Sequence, residues 1–305
     1  MATRAKQLRA VAATPLETEQ EFESMNHRLP EGSCDCHFHI YGPFDRFPPG
    51  DEGRFTAAKP FTIEDAFAIW DKLGITRGVI VHAVGSGDDN AVTYDALRRY
   101  PDRLRAVAIL RPDVSDRRLD ELTDAGFKAV RVTMIRQDGK AVSTLGTSYD
   151  DLVKLAPRIA ERGWHAQLWI ESSDLAAASP DLEKLPLSYV IDHMSRTMAD
   201  KGHDHPDFRA FTDRLKTGRY WTKISGADRN TRIGRPYADT APFMRAIVQA
   251  APDQVVWGSD WPHVGHSAET MPDLQDLLRL LHECVPDEVT RRKILIANPA
   301  RLYNF

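Results

Sequence analysis

Gly78-Val79-Ile80-Val81-His82-Ala83-Val84-Gly85-Ser86-Gly87 is the stretch on which the fold turns. From 78 to 84 it is almost continuously apolar and rich in β-branched residues, as expected of a parallel strand covered on both faces, and the glycines that follow end it. Working outward, Thr62 stands before Ile63, Ala66, Phe67, Ile69, Trp70 and Leu73, an apolar spacing of three and four closed by Gly74. That is a helix with an N-cap and a glycine stop. A second helix is predicted over 90–100. The same alternation then runs through the chain: strands over 104–110, 127–134, 164–170, 187–191, 220–225 and 255–258, with helices over 115–124, 148–162, 208–216, 242–250, 271–284 and 287–297, and shorter helical pieces around Leu175 and Leu182. With a first strand beginning at Cys34, this makes eight strands in alternation with helices. The economical fold is one α/β domain, a (β/α)8 TIM barrel over residues 31–305. Periodicity alone leaves an open doubly wound sheet as the alternative. Residues 1–30 read as a flexible polar arm, and the Pro- and Gly-rich 42–60 as a loop.

Composition narrows the partners. The chain has 305 residues, 42% hydrophobic and 28% charged, with a net charge of −4. Neither a basic excess nor a Lys/Arg run marks a nucleic-acid surface. No apolar stretch approaches the roughly 20 residues of a membrane span, and the apolar run near the start is too short for a secretory leader. Small molecules are the expected partners. The three cysteines, Cys34, Cys36 and Cys284, make no disulfide framework, so a reducing, cytoplasmic compartment is expected. Cys34 and Cys36 are expected to point apart, which argues against a shared metal.

A barrel places its chemistry where its strands end. His37 and His39 close the first strand, where Cys34-Asp35-Cys36-His37-Phe38-His39 is expected to send both histidines to one side and Cys36 and Phe38 to the other. His82 and Ser86 follow the second strand, Arg131 and Thr133 the fourth, Asp192 and His193 the sixth, Ser225 and Arg229 the seventh, and Asp260 and His263 the eighth. His165 and Lys128 stand at strand starts and read as structural.

Four segments together carry a family resemblance: Asp35-Cys36-His37-Phe38-His39-Ile40-Tyr41-Gly42-Pro43, Val190-Ile191-Asp192-His193-Met194, Trp257-Gly258-Ser259-Asp260-Trp261-Pro262-His263 and Asn298-Pro299-Ala300-Arg301-Leu302-Tyr303. In this order they resemble the amidohydrolase superfamily, and within it the branch of 2-pyrone-4,6-dicarboxylate lactonase and related lactonases. The resemblance implies a (β/α)8 barrel. It also implies a hydrolase, with His37, His39, His193 and Asp260 at the centre and Arg131 and Arg229 gripping substrate carboxylates. The chain departs from the metal-dependent members at strand 4, where Arg131-Val132-Thr133 replaces a bridging Lys or Glu, and at strand 5, where Ala166-Gln167-Leu168-Trp169-Ile170 offers no histidine. A binuclear site is therefore not expected, and the resemblance to the lactonase branch implies that no metal is required. One zinc on His37, His39, His193 and Asp260 is the alternative. Gln137, Trp169 and His82 depart from the lactonase pattern as well, where Arg, Tyr and Gln are expected, so the lactone itself is left open.

Hydrolysing a lactone needs an activated water, a polarised carbonyl and a proton for the leaving oxygen. Asp260 is expected to be the base, and His37, His39 and His193 the groups that polarise the carbonyl. Arg131, Arg229, His82, Ser86, Trp169 and His263 are the expected substrate-binding residues, suited to a small anionic lactone. Rival readings are an isomerase of sugar-acid lactones, a zinc-dependent decarboxylase, and a barrel that binds without catalysis; the last would be expected to lose His37, His39 or Asp260.

Overall fold

The computed structural model describes residues 28–50, 56–137, 140–143 and 145–305. Eight parallel strands form a single sheet in chain order: β1 Cys34–Phe38, β2 Arg77–Val81, β3 Leu104–Ala108, β4 Phe127–Thr133, β5 His165–Trp169, β6 Tyr189–Ile191, β7 Tyr220–Ile224 and β8 Val255–Trp257. Between them run α1 Ile63–Leu73, α2 Ala91–Arg99, α3 Asp116–Ala125, α4 Tyr149–Ala160, α5 Ser172–Leu182, α6 Pro206–Leu215 and α7 Ala241–Ala250, with α8 Leu274–Cys284 after β8. This is the (β/α)8 barrel, not the open sheet. A small hairpin, Arg136–Gln137 against Lys140–Ala141, follows β4.

The last strand meets the first just beyond its own end. Asp260 N–H donates to the His37 carbonyl at 2.8 Å and His39 N–H to the Trp261 carbonyl at 2.8 Å. The buried Asp35 carboxylate accepts from the Ser259 backbone N–H at 2.9 Å and the Ser259 hydroxyl at 2.5 Å. The residues that close the barrel are thus the ones the sequence marks for chemistry.

Local signals fall where the periodicity puts them. Thr62 and Asp65 form a reciprocal capping box at the start of α1, with Gly74 left-handed at its end, and Ser148 and Asp151 do the same for α4. Two expectations need correction. The pieces around Leu175 and Leu182 belong to one helix, α5, which accommodates Pro180 near its end. The side-chain alternation of β1 also fails: its register on β2 slips between Asp35 and Phe38. Phe38 packs outward on Trp70, 4.7 Å between ring centroids. Cys34 and Cys36 lie together in the barrel interior with Val79, Val81, Val107 and Tyr303. Alternate residues of a strand share a face, so their sulfurs do not point apart, and the slip lets Cys36 and His37 both turn inward. All three cysteines are buried and free.

Residues 1–27 of the expected arm lie outside the described residues. Leu29, near its expected end, is buried and donates its N–H to the Leu73 carbonyl at 2.7 Å. No helix among the described residues is long and apolar enough to cross a membrane.

Gly78 on β2 faces the Trp70 ring, and a Cβ there would collide with Trp70 and Phe38. Gly78→Ala is expected to lower stability by about 3 kcal/mol or more, since a close-packed core resists an added methyl. A urea midpoint unchanged from the parent would contradict this packing.

Candidate active site

The ends of β1, β6, β7 and β8 converge on Asp260. His37 Nε2 and His39 Nε2 each lie 3.5 Å from Asp260 Oδ1, and His193 Nε2 lies 3.8 Å from the same oxygen. The His37 ring is fully buried, and its Nε2 has no hydrogen-bond partner among the described residues. Backbone geometry is bent to this purpose. Asp260 has φ of 63°, and the turn after β6 keeps His193, Met194, Ser195 and Arg196 all left-handed. Conformations of that kind persist only where surrounding structure enforces them. Here the Asn230 amide donates to the His193 carbonyl at 2.9 Å, and Gly226 leaves room for the His193 ring, 2.8 Å from where a Cβ would sit.

Each imidazole is oriented by its other nitrogen. His39 Nδ1 lies 2.7 Å from the Val81 carbonyl, which can only accept. A neutral His39 therefore has its proton on Nδ1 and turns a lone pair toward Asp260, in place of the donor expected from the sequence. His193 Nδ1 meets the Ser225 hydroxyl at 2.9 Å. Burial brings His193 down to about 4, so its ring is neutral near pH 7. His37 is likewise held well below the ordinary histidine value, by burial first and then by the Lys223 cation.

Beneath His37 lies a charged layer that sequence reasoning missed. Lys223 is completely buried, with Nζ 2.6 Å from Gln167 Oε1, 3.4 Å from His37 Nδ1 and 3.7 Å from Asp192 Oδ1. Burial lowers this lysine to about 8, against the pull of Asp192, which leaves it cationic at neutral pH. Asp192 Oδ2 accepts from Arg131 Nε and from Gln167 Nε2, each at 3.1 Å. Burial would raise the Asp192 carboxyl, yet His37, Arg131 and Lys223 bring it well below the usual range. The signal was present in the sequence: Lys223 sits within the apolar strand Tyr220-Trp221-Thr222-Lys223-Ile224, at the inward parity of Trp221. Asp35 was also passed over. Burial raises it to about 6, although it accepts bonds from Ser259 and from the His37 N–H.

A cavity of about 200 Å³ opens above these groups, lined in part by His39, Arg131, Trp169, His193, Arg229 and Asp260, as expected, and also by Tyr41 and Arg196. Arg131 stacks on the Trp169 ring at 4.8 Å. Arg229 Nε is 3.2 Å from Asp260 Oδ2 and 3.3 Å from Asp228. Burial favours the acid form of Asp260, but His193 and Arg229 hold it well below the usual carboxylate range. Arg196 has a buried Nε with no partner among the described residues. His37, fully buried beneath it, does not line this cavity, and neither do His82, Ser86 and His263. His82 is buried on Thr93 at 2.9 Å, Ser86 faces a separate small cleft beside Phe44 and Pro48, and His263 groups with Asp228 and Asp260 behind Arg229. His165, read as structural, is buried 5.4 Å from the Tyr303 ring.

The donor set also fits a divalent ion. The ligand atoms of His37, His39 and Asp260 lie within 4.8 Å of one another, as do those of His37, Asp192 and His193. The orphaned Nε2 of His37 and the carbonyl behind His39 suit such a role.

The family model described as Amidohydrolase matches residues 34–305. The chain belongs to the amidohydrolase family. The sequence of this amidohydrolase is 35% identical over 298 residues to a 4-sulfomuconolactone hydrolase of Hydrogenophaga intermedia, covering 96% of each chain. It is 33% identical to a 2-pyrone-4,6-dicarboxylate hydrolase of Comamonas testosteroni, covering 90% of this chain and 91% of the relative. Its fold is similar to that of a probable 2-pyrone-4,6-dicarboxylic acid hydrolase of Acinetobacter baumannii with citric acid bound, with a TM-score of 0.76, 25% identity and coverage of 90% and 100%.

The buried histidines give the amidohydrolase a signed pH response. His37, His82, His165 and His193 all titrate below the free value of 6.5, His82 and His193 at about 4 and His165 at about 3. Between these values and 6.5 the unfolded chain binds protons that the native one refuses, so stability falls as pH falls, by about 1.4 kcal/mol per pH unit for each histidine. Asp35, raised to about 6 from 3.8, acts with the opposite sign in the same window but is one group against five, since burial lowers His263 as well. Urea midpoints are expected to drop steeply from pH 6.5 to pH 4, and a flat profile would contradict the neutral buried rings. Below 3.8, protonation of Asp192 and Asp260 adds a further loss.

Proposed function

We propose that this amidohydrolase is a lactonase that opens a small ring lactone bearing two acidic groups, a carboxylate and a second carboxylate or sulfonate. The observation that supports it is one cavity in which Arg131, Arg196 and Arg229 surround Asp260, His39 and His193. Guanidinium forks bind carboxylate and sulfonate oxygens in pairs, and three of them around so small a space suit a dianion. The names of the two curated relatives, and citric acid in the Acinetobacter structure, agree with an acidic ligand.

In this reading the site divides into two sides. Asp260 and the His39 lone pair accept the two protons of one water and aim its oxygen at the lactone carbonyl. His37 and His193 donate from Nε2 to the carbonyl oxygen, and keep donating as it gains negative charge. Water oxygen bonds to the carbonyl carbon while its proton passes to Asp260. The ring C–O bond then breaks, its electron pair stays on the leaving oxygen, and Asp260 returns the proton there, giving the ring-opened acid. Arg229 keeps Asp260 ionised at the start, and the two neutral imidazoles cost no charge when the dianion arrives. His39 thus moves from the carbonyl side, where the sequence reading placed it, to the water side. His82, Ser86 and His263 are assigned supporting roles outside direct substrate contact.

No metal is required by these steps. A zinc held by His37, His39, His193 and Asp260 would supply Lewis-acid polarisation of the carbonyl and a more acidic water. The unpaired cysteines support a reducing, cytoplasmic setting. Residues 31–305 form the catalytic domain in this reading, and the polar arm precedes it.

Incubation with 4-sulfomuconolactone, 2-pyrone-4,6-dicarboxylate and an aldarolactone, with and without chelator, separates the alternatives by NMR. A ring-opened acid is expected; a rearranged lactone would show an isomerase, and carbon dioxide a decarboxylase. Asp260→Asn is expected to reduce kcat by about a hundredfold or more, the usual worth of a general base. Arg196→Met is expected to raise KM for the dianions with a smaller change for a neutral lactone; equal effects on both would remove Arg196 from anion binding.

A further inference from the structure

The two histidines of the His37-Phe38-His39 pair perform different tasks in the lactonase reading, on which this inference rests, and the sequence offers nothing to tell them apart. The difference lies behind the rings. His39 has a backbone carbonyl at Nδ1, which fixes the proton on that nitrogen and the lone pair on Nε2. His37 has two candidates at Nδ1: Asp192 Oδ1 at 3.3 Å, which would take a proton, and Lys223 Nζ at 3.4 Å, which would give one. They impose opposite tautomers.

The bonding of the two candidates favours the lysine. Asp192 Oδ1, although 3.3 Å from Nδ1, has no well-formed hydrogen bond among the described residues. The Asp192 charge is satisfied through Oδ2 by Arg131 and Gln167. Lys223 Nζ lies within hydrogen-bond reach of Nδ1, and Gln167 Oε1 anchors its ammonium at 2.6 Å. The cation has no access to water, being fully buried, and the layer of Gln167, Asp192 and His37 fixes where its protons point.

We propose that Lys223 is a positioning residue that splits the strand 1 pair into unlike tautomers, forcing the His37 proton onto Nε2 so that His37 donates to the carbonyl while His39 accepts from water. The same hydrogen bond withdraws the His37 Nε2 lone pair from any metal. The aligned ligand geometry of the site and its tautomer state therefore work against each other, and Lys223 decides between them.

Nitrogen-labelled histidine and two-bond proton–nitrogen correlation read the tautomer of each ring directly, with His37 assigned by the signals lost in His37→Gln. His37 in the full chain is expected to have its proton on Nε2 and His39 on Nδ1. A His37 proton on Nδ1 would overturn the proposal, and this wild-type measurement decides even if the variants fail to fold. In Lys223→Met, His37 is expected to move its proton to Nδ1 toward Asp192, and zinc affinity, measured by calorimetry with the metal alone, to rise at least about tenfold, the scale of such orienting partners. Lys223→Arg, which keeps a cationic donor, is expected to retain the Nε2 proton. An unchanged tautomer and unchanged zinc affinity in Lys223→Met would also overturn it. Failure on every lactone, with the tautomers as expected, would defeat the lactonase reading alone.

Discussion

The hydrogen bonds that join the end of β8 to β1 are the constraint on which the rest depends. A parallel sheet of eight strands has two edges unless the last pairs with the first, and here that pairing is completed by Asp260 N–H to the His37 carbonyl and His39 N–H to the Trp261 carbonyl. Closing the barrel and assembling the site are one event. Asp35 reinforces it from inside by holding Ser259 through both backbone and hydroxyl. The left-handed backbone of Asp260 is strain stored at this seam, balanced by bonds that would be lost if it relaxed.

Electrostatics follow from the same closure. Once sealed, the interior holds Arg131, Lys223 and Asp192 below and Arg229, Asp228 and Asp260 at the mouth. Isolated, any of these charges would be very costly to bury, and together they are tolerable because each has opposite charge or a hydrogen bond within reach. His37 and His193, between the two layers, remain neutral because burial disfavours their charged forms and nearby cations offset the carboxylates. Such an arrangement is poised to receive negative charge, since its free guanidinium capacity faces the cavity and its fixed anions are already matched.

Much of this was legible beforehand, for a physical reason that differs from one feature to another. The helices and strands were readable because burial imposes period: α1 shows its apolar stripe, its Thr62 cap and its Gly74 stop in the residues alone. His37, His39, His193 and Asp260 were readable as a set because they follow apolar runs that must be strands. What misled was local irregularity. The slip in β1 turned Cys36 inward beside His37, which no alternation rule anticipates, and α5 continues past Pro180 to Leu182, where a proline is expected to break a helix. His82, Ser86 and His263 stand at the right strand ends, yet their side chains turn to Thr93, a separate cleft and Asp228.

The sequence by itself determined the alternation of strand and helix, the barrel, and the convergence of histidine and aspartate at one end, because these depend on hydrophobic period and on residues adjacent along the chain. Only the tertiary structure decided which nitrogen of each histidine faces Asp260, that Lys223 and Gln167 lie beneath them, and that Arg196 joins Arg131 and Arg229 at the cavity. Those outcomes depend on pairs such as His37 and Lys223, 186 residues apart in the chain. A side chain's proton is placed by whatever lies behind it, and in a barrel that neighbour comes from across the interior.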